Sequence, residues 1–136
     1  MNVPVWVIDT NVLVSAVLTP GGNCDKILRV AVEGRIRLAW SSQMLAEYRM
    51  VLSRPKFKLP SPVVAAILAA FGPANQVTPS EAAELPDHDD EVFLATALST
   101  PDQILVTGNA AHFPPKKCVP VQILNPTKAV QALSSK

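Results

Sequence analysis

Residues 3–11 have the sequence VPVWVIDTN, and this stretch decides the expected fold. Residues 3–8 are apolar on both faces and rich in β-branched side chains, which predicts a central strand of a parallel sheet. Asp9 follows directly, so a carboxylate is expected at the carboxyl end of that strand. Ligands of open α/β sheets bind beyond the carboxyl ends of the strands. The stretch therefore predicts an α/β fold and a functional position at Asp9.

The remainder of the chain alternates between predicted strands and helices. Further strands are expected at 36–40, 103–106 and 119–123, and helices at 12–18, 24–33, 42–52, 63–71, 90–98 and 126–133. This alternation predicts a mostly parallel central sheet of about four to five strands with helices on both faces. The length fits one domain covering residues 1–136.

Short polar side chains precede two of these helices. Thr10 or Asn11 is expected to cap the first helix, and Ser41 or Ser42 the helix that ends at Leu52, because their oxygens can accept a free backbone N–H. The helix at 63–71 has a bulky stripe between alanines, which indicates core packing or, alternatively, a partner-binding face.

Charge is distributed unevenly although the net charge is only +1. Eight of the 12 basic residues lie between Lys26 and Lys58, and six of the 11 acidic residues lie between Glu81 and Glu91. The net charge predicts no strong general attraction to nucleic acid or membrane. The separation indicates either a basic rim beside an acidic pocket or two solvated surfaces.

The cysteines and the apolar segments indicate a cytoplasmic protein. Cys24 and Cys118 form no C-x-x-C pattern, so a reduced protein is the simpler interpretation. The first residues carry no basic region of the kind that precedes a signal peptide. The longest apolar block, residues 63–71, is too short to span a membrane.

Four acidic or amide side chains are the candidate catalytic residues: Asp9, Glu47, Asp90 and Asn109. Asp9 and Asn109 follow predicted strands, whereas Glu47 and Asp90 lie beside the apolar stripes of predicted helices. A carboxylate at the core edge needs a partner, which could be an arginine or a metal ion. For Asp90 alone, stabilisation of a helix N-terminus is a sufficient explanation. It does not explain Asp9 or Glu47.

If folding gathers these side chains, they form a site for Mg²⁺ or Mn²⁺. Asp9, Glu47 and Asp90 are the predicted metal ligands, because neighbouring carboxylates repel one another unless a cation lies between them. Such an ion can activate water for attack on a phosphodiester, and the basic residues at 26–58 could hold the phosphates. Asn11 and Ser15 are one helical turn apart and could face the same cleft.

Other kinds of site lack their sequence patterns. No G-x-x-x-x-G-K-[ST], G-x-G-x-x-G or G-x-S-x-G occurs in the chain. The histidines and cysteines lack the spacing of a zinc site. His112 is expected to be a surface or loop histidine rather than part of the site.

Four segments in the same order resemble the PIN-domain family, in particular its VapC-like bacterial toxins of toxin–antitoxin pairs. These segments are residues 7–15, 42–55, 85–97 and 104–114. The resemblance implies a Rossmann-like α/β/α domain, an acid-lined Mg²⁺ or Mn²⁺ site and ribonuclease activity. It also implies an RNA substrate, a homodimer and a small antitoxin that blocks the site.

In that resemblance Asp9, Glu47 and Asp90 match the first, second and third acids of the family. Thr10, Asn11 and Thr107 match polar positions that line the site. Asn109 departs from the pattern, since the family often has Asp there, and a neutral amide puts a second metal ion in doubt.

Two alternatives remain open at this point. The first is a non-catalytic PIN module that binds RNA or a protein partner, which Asn109 motivates. The second is a phosphatase that uses Asp9 as nucleophile, although residues 9–11 lack the second acid of a D-x-D motif.

Overall fold

The computed structural model describes residues 3–79 and 84–134, and its centre is a parallel sheet. The four strands in these residues are β1 (Val5–Ile8), β2 (Arg37–Leu38), β3 (Ile104–Val106) and β4 (Gln122–Leu124). Their order across the sheet is β2-β1-β3-β4, with every neighbouring pair parallel. The predicted α/β class and the parallel sheet are confirmed.

Helices connect these strands and cover the sheet. They are α1 (Thr10–Leu18), α2 (Asn23–Val32), α3 (Ser42–Leu52), α4 (Ser61–Leu68), α5 (Glu91–Leu98), α6 (Pro115–Cys118) and α7 (Pro126–Ser134). Short 3₁₀ turns occupy Pro55–Phe57, Pro73–Asn75, His88–Asp90 and Ala110–His112. Within the described ranges, no helix has the length and apolar character needed to cross a membrane.

Strand β1 lies in the core of the molecule. Trp6, Val7 and Ile8 are 2%, 0% and 1% exposed. Since successive side chains of a strand point to opposite faces, both faces of the sheet are covered at this strand. This burial is what the apolar run at 3–8 predicts.

The strand order creates a crevice next to Asp9. From β1 the chain passes first to β2 on one side, and later to β3 on the other side. The carboxyl ends of β1 and β3 therefore flank the position at which the strand order reverses, which is where ligands of such sheets bind. The Asp9 backbone N–H donates to the Val106 carbonyl at 2.8 Å and holds the two ends together.

The predicted caps are only partly right. The N-cap of α1 is Asp9, whose side chain accepts from the Thr10 N–H, so the expectation of a Thr10 or Asn11 cap was wrong. Ser41 is the N-cap of α3, but its side chain makes no capping hydrogen bond. Its hydroxyl instead accepts from the Thr96 hydroxyl at 3.2 Å, which ties α3 to α5.

Several element boundaries differ from the prediction, and proline-rich segments account for two of these differences. Helix α4 begins at Ser61 because Pro62 is well placed in the first helical turn, where its missing N–H costs nothing. The last strand is Gln122–Leu124 rather than 119–123, because residues 115–118 form α6 and Val121 still donates back to the Cys118 carbonyl.

The bulky stripe of residues 63–71 divides between the core and the surface. Val64, Leu68 and Phe71 are buried, which agrees with the prediction of core packing. Val63 is 41% exposed and borders an apolar groove between α2 and α4.

Candidate functional site

The Asp9 carboxylate is buried and firmly oriented in the crevice between β1 and β3. It is 6% exposed. Oδ1 accepts from the Thr10 N–H at 2.8 Å, and Oδ2 accepts from the Thr107 hydroxyl at 2.8 Å and from Asn11 Nδ2 at 3.2 Å. Burial raises the pKa of Asp9, and the hydrogen bonds from Thr107 and Thr10 oppose this rise. These donors fix the direction of the carboxylate while keeping it available as an anion.

Asn11 joins the two sides of the crevice. Its Nδ2 donates to Asp9, and its Oδ1 accepts from the Gly108 N–H at 3.0 Å. A Cβ at Gly108 would lie 3.3 Å from Asn11 Oδ1, so the absence of a side chain there permits this close approach. The Asn109 N–H donates to the Thr107 hydroxyl at 3.0 Å. The polar positions 11 and 107, predicted to line the site, are therefore in contact with Asp9 or its neighbours.

Helix α3 brings Glu47 to the same region. The Thr10 hydroxyl donates to Glu47 Oε2. Burial raises the pKa of Glu47, and the charges of Asp9, Asp89 and Asp90 raise it further. The next residue, Tyr48, is fully buried, and its hydroxyl donates to the Ile8 carbonyl at 2.5 Å. That bond attaches α3 to the last residue of β1, directly before Asp9.

Asp90 approaches from a third direction, at the N-cap of α5. It is 9% exposed, and its pKa is raised by burial and by the charge of Asp9. Its Oδ2 lies 2.9 Å from His112 Nδ1. The imidazole is at ion-pair distance, and its interaction with Asp90 opposes the rise in the pKa of that carboxylate.

The three predicted acids lack a basic partner other than His112. Across residues 3–79 and 84–134, no lysine or arginine lies within ion-pair distance of Asp9, Glu47 or Asp90. No arginine among the described residues therefore neutralises Glu47. An arrangement of mutually repelling carboxylates with hydroxyl and amide donors fits a hard divalent cation.

Comparison with known protein families agrees with this geometry. Residues 5–111 match the family model described as the PIN domain. The chain belongs to the PIN-domain family. PIN domains are generally nucleases, and the matched range includes Asp9, Glu47, Asp90 and Asn109. A search among curated proteins found no significant match.

The PIN domain also contains a cluster at metal-ligand distances. One ligand atom each from Asp87, Asp90 and His112 lies within 4.8 Å of the other two. Among the described residues, Asp9 and Glu47 do not complete such a group with Asp90, although the charge of Asp9 raises the pKa of both Glu47 and Asp90. Binding of one ion by Asp9, Glu47 and Asp90 together stays a prediction.

Sequence reasoning missed His112 and Asp87. His112 was expected on the surface or in a loop, but it contacts both Asp90 and the Asn109 amide, with Nε2 3.0 Å from Asn109 Nδ2. The sequence feature that could have identified both residues is their spacing from the predicted site residues. Each missed residue lies three positions from a predicted site residue, and side chains at i and i+3 eclipse in a 3₁₀ turn.

Ser15 of the PIN domain occupies a different environment from the other predicted lining residues. It is exposed on α1, and its side chain forms a hydrogen bond with the Cys24 thiol of α2. A role for Ser15 in lining the cleft stays a prediction.

Proposed function

We propose that this PIN domain is a divalent-metal-dependent endoribonuclease in which Asp9, Glu47 and Asp90 hold Mg²⁺ or Mn²⁺. One observation supports this most strongly: burial raises the pKa of all three carboxylates, the charge of Asp9 raises the pKa of Glu47 and Asp90 further, and no lysine or arginine of the described residues pairs with them. When bound, the cation would act as a Lewis acid: it would lower the pKa of a water molecule bound to it and offset the negative charge of the phosphodiester.

The neighbouring polar residues would position the reactants. Thr107 and the Thr10 N–H hold Asp9 in one orientation, so the carboxylate loses little freedom when it binds. The Asn11 amide contacts Asp9 and could also orient water, as could Asn109 at the opposite side. The proposal gives these two amides an orienting role.

RNA is the proposed substrate, and exposed basic side chains would hold its phosphates. All eight basic residues between positions 26 and 58 are exposed. Two of them, Arg29 and Arg35, make surface ion pairs with Asp25 and Glu33. Such surface pairs contribute little to stability, so a phosphate group could replace the carboxylate in each. Phosphate contacts would position the strand without selecting its sequence.

We also propose a toxin role, with a small antitoxin and a homodimer as partners. The supporting feature is an apolar groove of about 420 Å³ between α2 and α4, bordered by Val32 and Val63, which are 73% and 41% exposed. Apolar surface of this kind marks protein interaction sites. Growth arrest by the wild-type protein but not by Asp9→Asn would support the role, and unchanged growth with both would contradict it.

The central test measures RNA cleavage by purified Asp9→Asn. The amide retains an oxygen for the Thr10 N–H but removes the charge, so we expect cleavage to fall by about 100-fold or more with the fold preserved. Glu33→Gln is the matched control, because Glu33 is exposed and pairs only loosely with Arg35 at 3.7 Å. Wild-type cleavage should stop in excess EDTA and return with Mg²⁺ or Mn²⁺.

Two outcomes would contradict the enzyme proposal. The first is cleavage by Asp9→Asn at the wild-type rate. The second is RNA binding by the wild-type protein without cleavage in either metal, which would favour the non-catalytic binding module.

A further inference from the structure

Helix α3 exposes a row of side chains directly beside Glu47. Side chains of a helix advance by about 100° per residue, so Gln43 and Met50 lie about 40° and 60° from Glu47 on the same side. On the other side of Glu47, Met44 and Tyr48 are fully buried. Gln43 is exposed, and Met50 is 59% exposed. Glu47 therefore lies at the boundary between the buried and the exposed flank of the helix, and the exposed flank borders the crevice.

Arg54 continues this row past the end of α3. Its backbone N–H still donates to the Val51 carbonyl at 3.1 Å, so the chain keeps a helix-like path as far as Arg54. Two helical turns, roughly 10 Å along the axis, separate Arg54 from Glu47. Gln43, Met50 and Arg54 are all exposed, and none of their side chains forms a hydrogen bond or an ion pair within the described part of the chain.

We propose that Gln43, Met50 and Arg54, together called the α3 surface, hold an unpaired RNA segment along the helix and select the nucleotide next to the cleaved phosphodiester. The inference rests on the proposed nuclease, because it assigns the sequence preference of that reaction to these side chains. Each of the three has a separate task.

Gln43 would recognise a base edge by hydrogen bonds. Its amide offers an acceptor and donors side by side, and such an amide can form two hydrogen bonds with one base. The bases of a single strand present edges that a side chain can reach, whereas the narrow major groove of an RNA duplex hides them. Since Gln43 precedes Glu47 by one helical turn, the base that it contacts belongs to a nucleotide adjacent to the scissile phosphate.

Met50 would contact the face of a base. Proteins commonly hold single strands by stacking bases on aromatic side chains. No aromatic side chain is exposed here: all are buried except Phe57, which is half-buried and has the Lys56 ammonium 5.1 Å from its ring centroid. The methionine thioether is flexible and polarizable, and it packs favourably against aromatic rings. Met50 can therefore take the place of an aromatic stacking group beside Glu47.

Arg54 would bind a neighbouring phosphate. Between Tyr48 and Pro79 the chain has four basic residues and no acidic residue. The C-terminal end of α3 is therefore positive, whereas the crevice is negative. A strand with its scissile phosphate beside Glu47 would place adjacent phosphates along the helix toward Arg54. This charge distribution favours a polyanion over an apolar protein segment as the occupant of the α3 surface.

The decisive experiment maps the cleavage of a randomised pool of single-stranded RNA by sequencing its products in Mg²⁺ or Mn²⁺. We expect wild type to prefer particular bases beside the cut, and we expect Gln43→Ala and Met50→Ala each to reduce that preference by about tenfold. The maximal rate should change far less, because neither variant alters a carboxylate. Alanine is the most favourable helix residue, so both variants should fold. Gln131→Ala is the matched control, since Gln131 is exposed on α7.

Arg54→Gln should act differently, because a phosphate contact carries no sequence information. We expect KM to rise for all sequences alike, with the base preference unchanged. The slope of log KM against log salt concentration should become shallower by about 0.7, the value for one phosphate contact to a single strand. Lys128→Gln removes one positive charge from an exposed position of α7 and should leave KM and its salt dependence unchanged. Equal effects of the two charge variants would exclude Arg54 from the α3 surface.

Three results of the cleavage map would overturn the proposal. They are equal cleavage of all sequences by wild type, an unchanged base preference in both Gln43→Ala and Met50→Ala, and the same loss of preference in Gln131→Ala. A different occupant is also detectable. If Met50 lies between two copies of the chain, sedimentation velocity will show loss of a dimer in Met50→Ala while the base preference stays as in wild type, and the proposal is then wrong.

The α3 surface and the proposed nuclease can fail separately. If Asp9→Asn abolishes cleavage but neither Gln43→Ala nor Met50→Ala alters the base preference, the nuclease stands and the α3 surface falls. If wild type leaves the pool intact, sequencing of the RNA that the protein retains replaces the cleavage map. A base enriched by wild type and lost in both variants would then support the α3 surface although the nuclease falls. Equal retention of all sequences would overturn the α3 surface as well.

Discussion

The Thr107 hydroxyl makes two hydrogen bonds in the crevice. It donates to Asp9 Oδ2 at 2.8 Å and accepts from the Asn109 N–H at 3.0 Å. Thr107 is fully buried, so water cannot replace either bond. The orientation of Asp9 and the path of the chain after β3 therefore depend on the same oxygen atom.

Replacing Thr107 by valine keeps the shape of the side chain and removes this oxygen. We expect Thr107→Val to lower the free energy of unfolding by about 1–3 kcal/mol, because a buried carboxylate and a backbone N–H lose their partner. Urea denaturation measures the loss. Thr107→Ser retains the hydroxyl and should recover most of the hydrogen-bond contribution. A valine variant as stable as wild type would show that these bonds are unimportant.

At the scale of elements, α3 serves both the core and the site. Glu47 and Tyr48 are consecutive, so their side chains point about 100° apart around the helix axis. Tyr48 lies in the core, with its ring centroid 4.9 Å from that of Phe71 and 6.2 Å from that of Phe93. Its hydroxyl reaches the Ile8 carbonyl. Core packing of Tyr48 thus determines where Glu47 lies relative to Asp9.

Tyr48→Phe tests this coupling, since it removes the hydroxyl and keeps the ring. We expect a loss of about 1 kcal/mol in the free energy of unfolding from the broken hydrogen bond. We also expect weaker Mn²⁺ binding by calorimetry, because α3 is no longer attached to the end of β1. Unchanged metal affinity alongside reduced stability would show that the hydroxyl has only a structural role.

The elements also show what the sequence could predict. Strand β1 and Asp9 follow from an apolar run and the acid after it, and both depend on local patterns. The contact of His112 with Asp90 could not be predicted, because it depends on how two 3₁₀ turns, 88–90 and 110–112, meet in space. Asp9 was missed as the helix cap because aspartate, threonine and asparagine are all preferred N-cap residues, so the sequence alone does not select among positions 9, 10 and 11.

For the whole molecule, the crevice carboxylates make stability depend on pH. Burial raises the folded-state pKa of Asp9, Glu47 and Asp90 above their ordinary values near 4. The unfolded chain then binds fewer protons than the folded chain, so stability falls as pH rises from about 4 through the raised values. The lowered pKa values of Asp25 and Glu91 act oppositely, and their contribution is lost only at lower pH.

We therefore expect the metal-free protein in EDTA to be less stable to urea at pH 8 than at pH 5. Glu47→Gln should reduce this difference, and only modestly, because the carboxylate is half-buried and partly screened by solvent. His88 also contributes to the fall, since Glu91 raises its pKa, but it does so equally in both proteins. Added Mn²⁺ should restore stability at pH 8 in wild type. An identical pH dependence in Glu47→Gln would contradict this prediction.

The hydrogen bond between Thr107 and Asp9 joins residues 98 positions apart. Synthesis proceeds from the N-terminal end, so a nascent chain presents Asp9 to the surrounding RNA long before Thr107 leaves the ribosome. During that interval β1 has no β3 beside it and Asp9 lacks one of its donors. If the chain is the ribonuclease proposed above, we expect the growing polypeptide to leave its own messenger uncut until translation is almost finished.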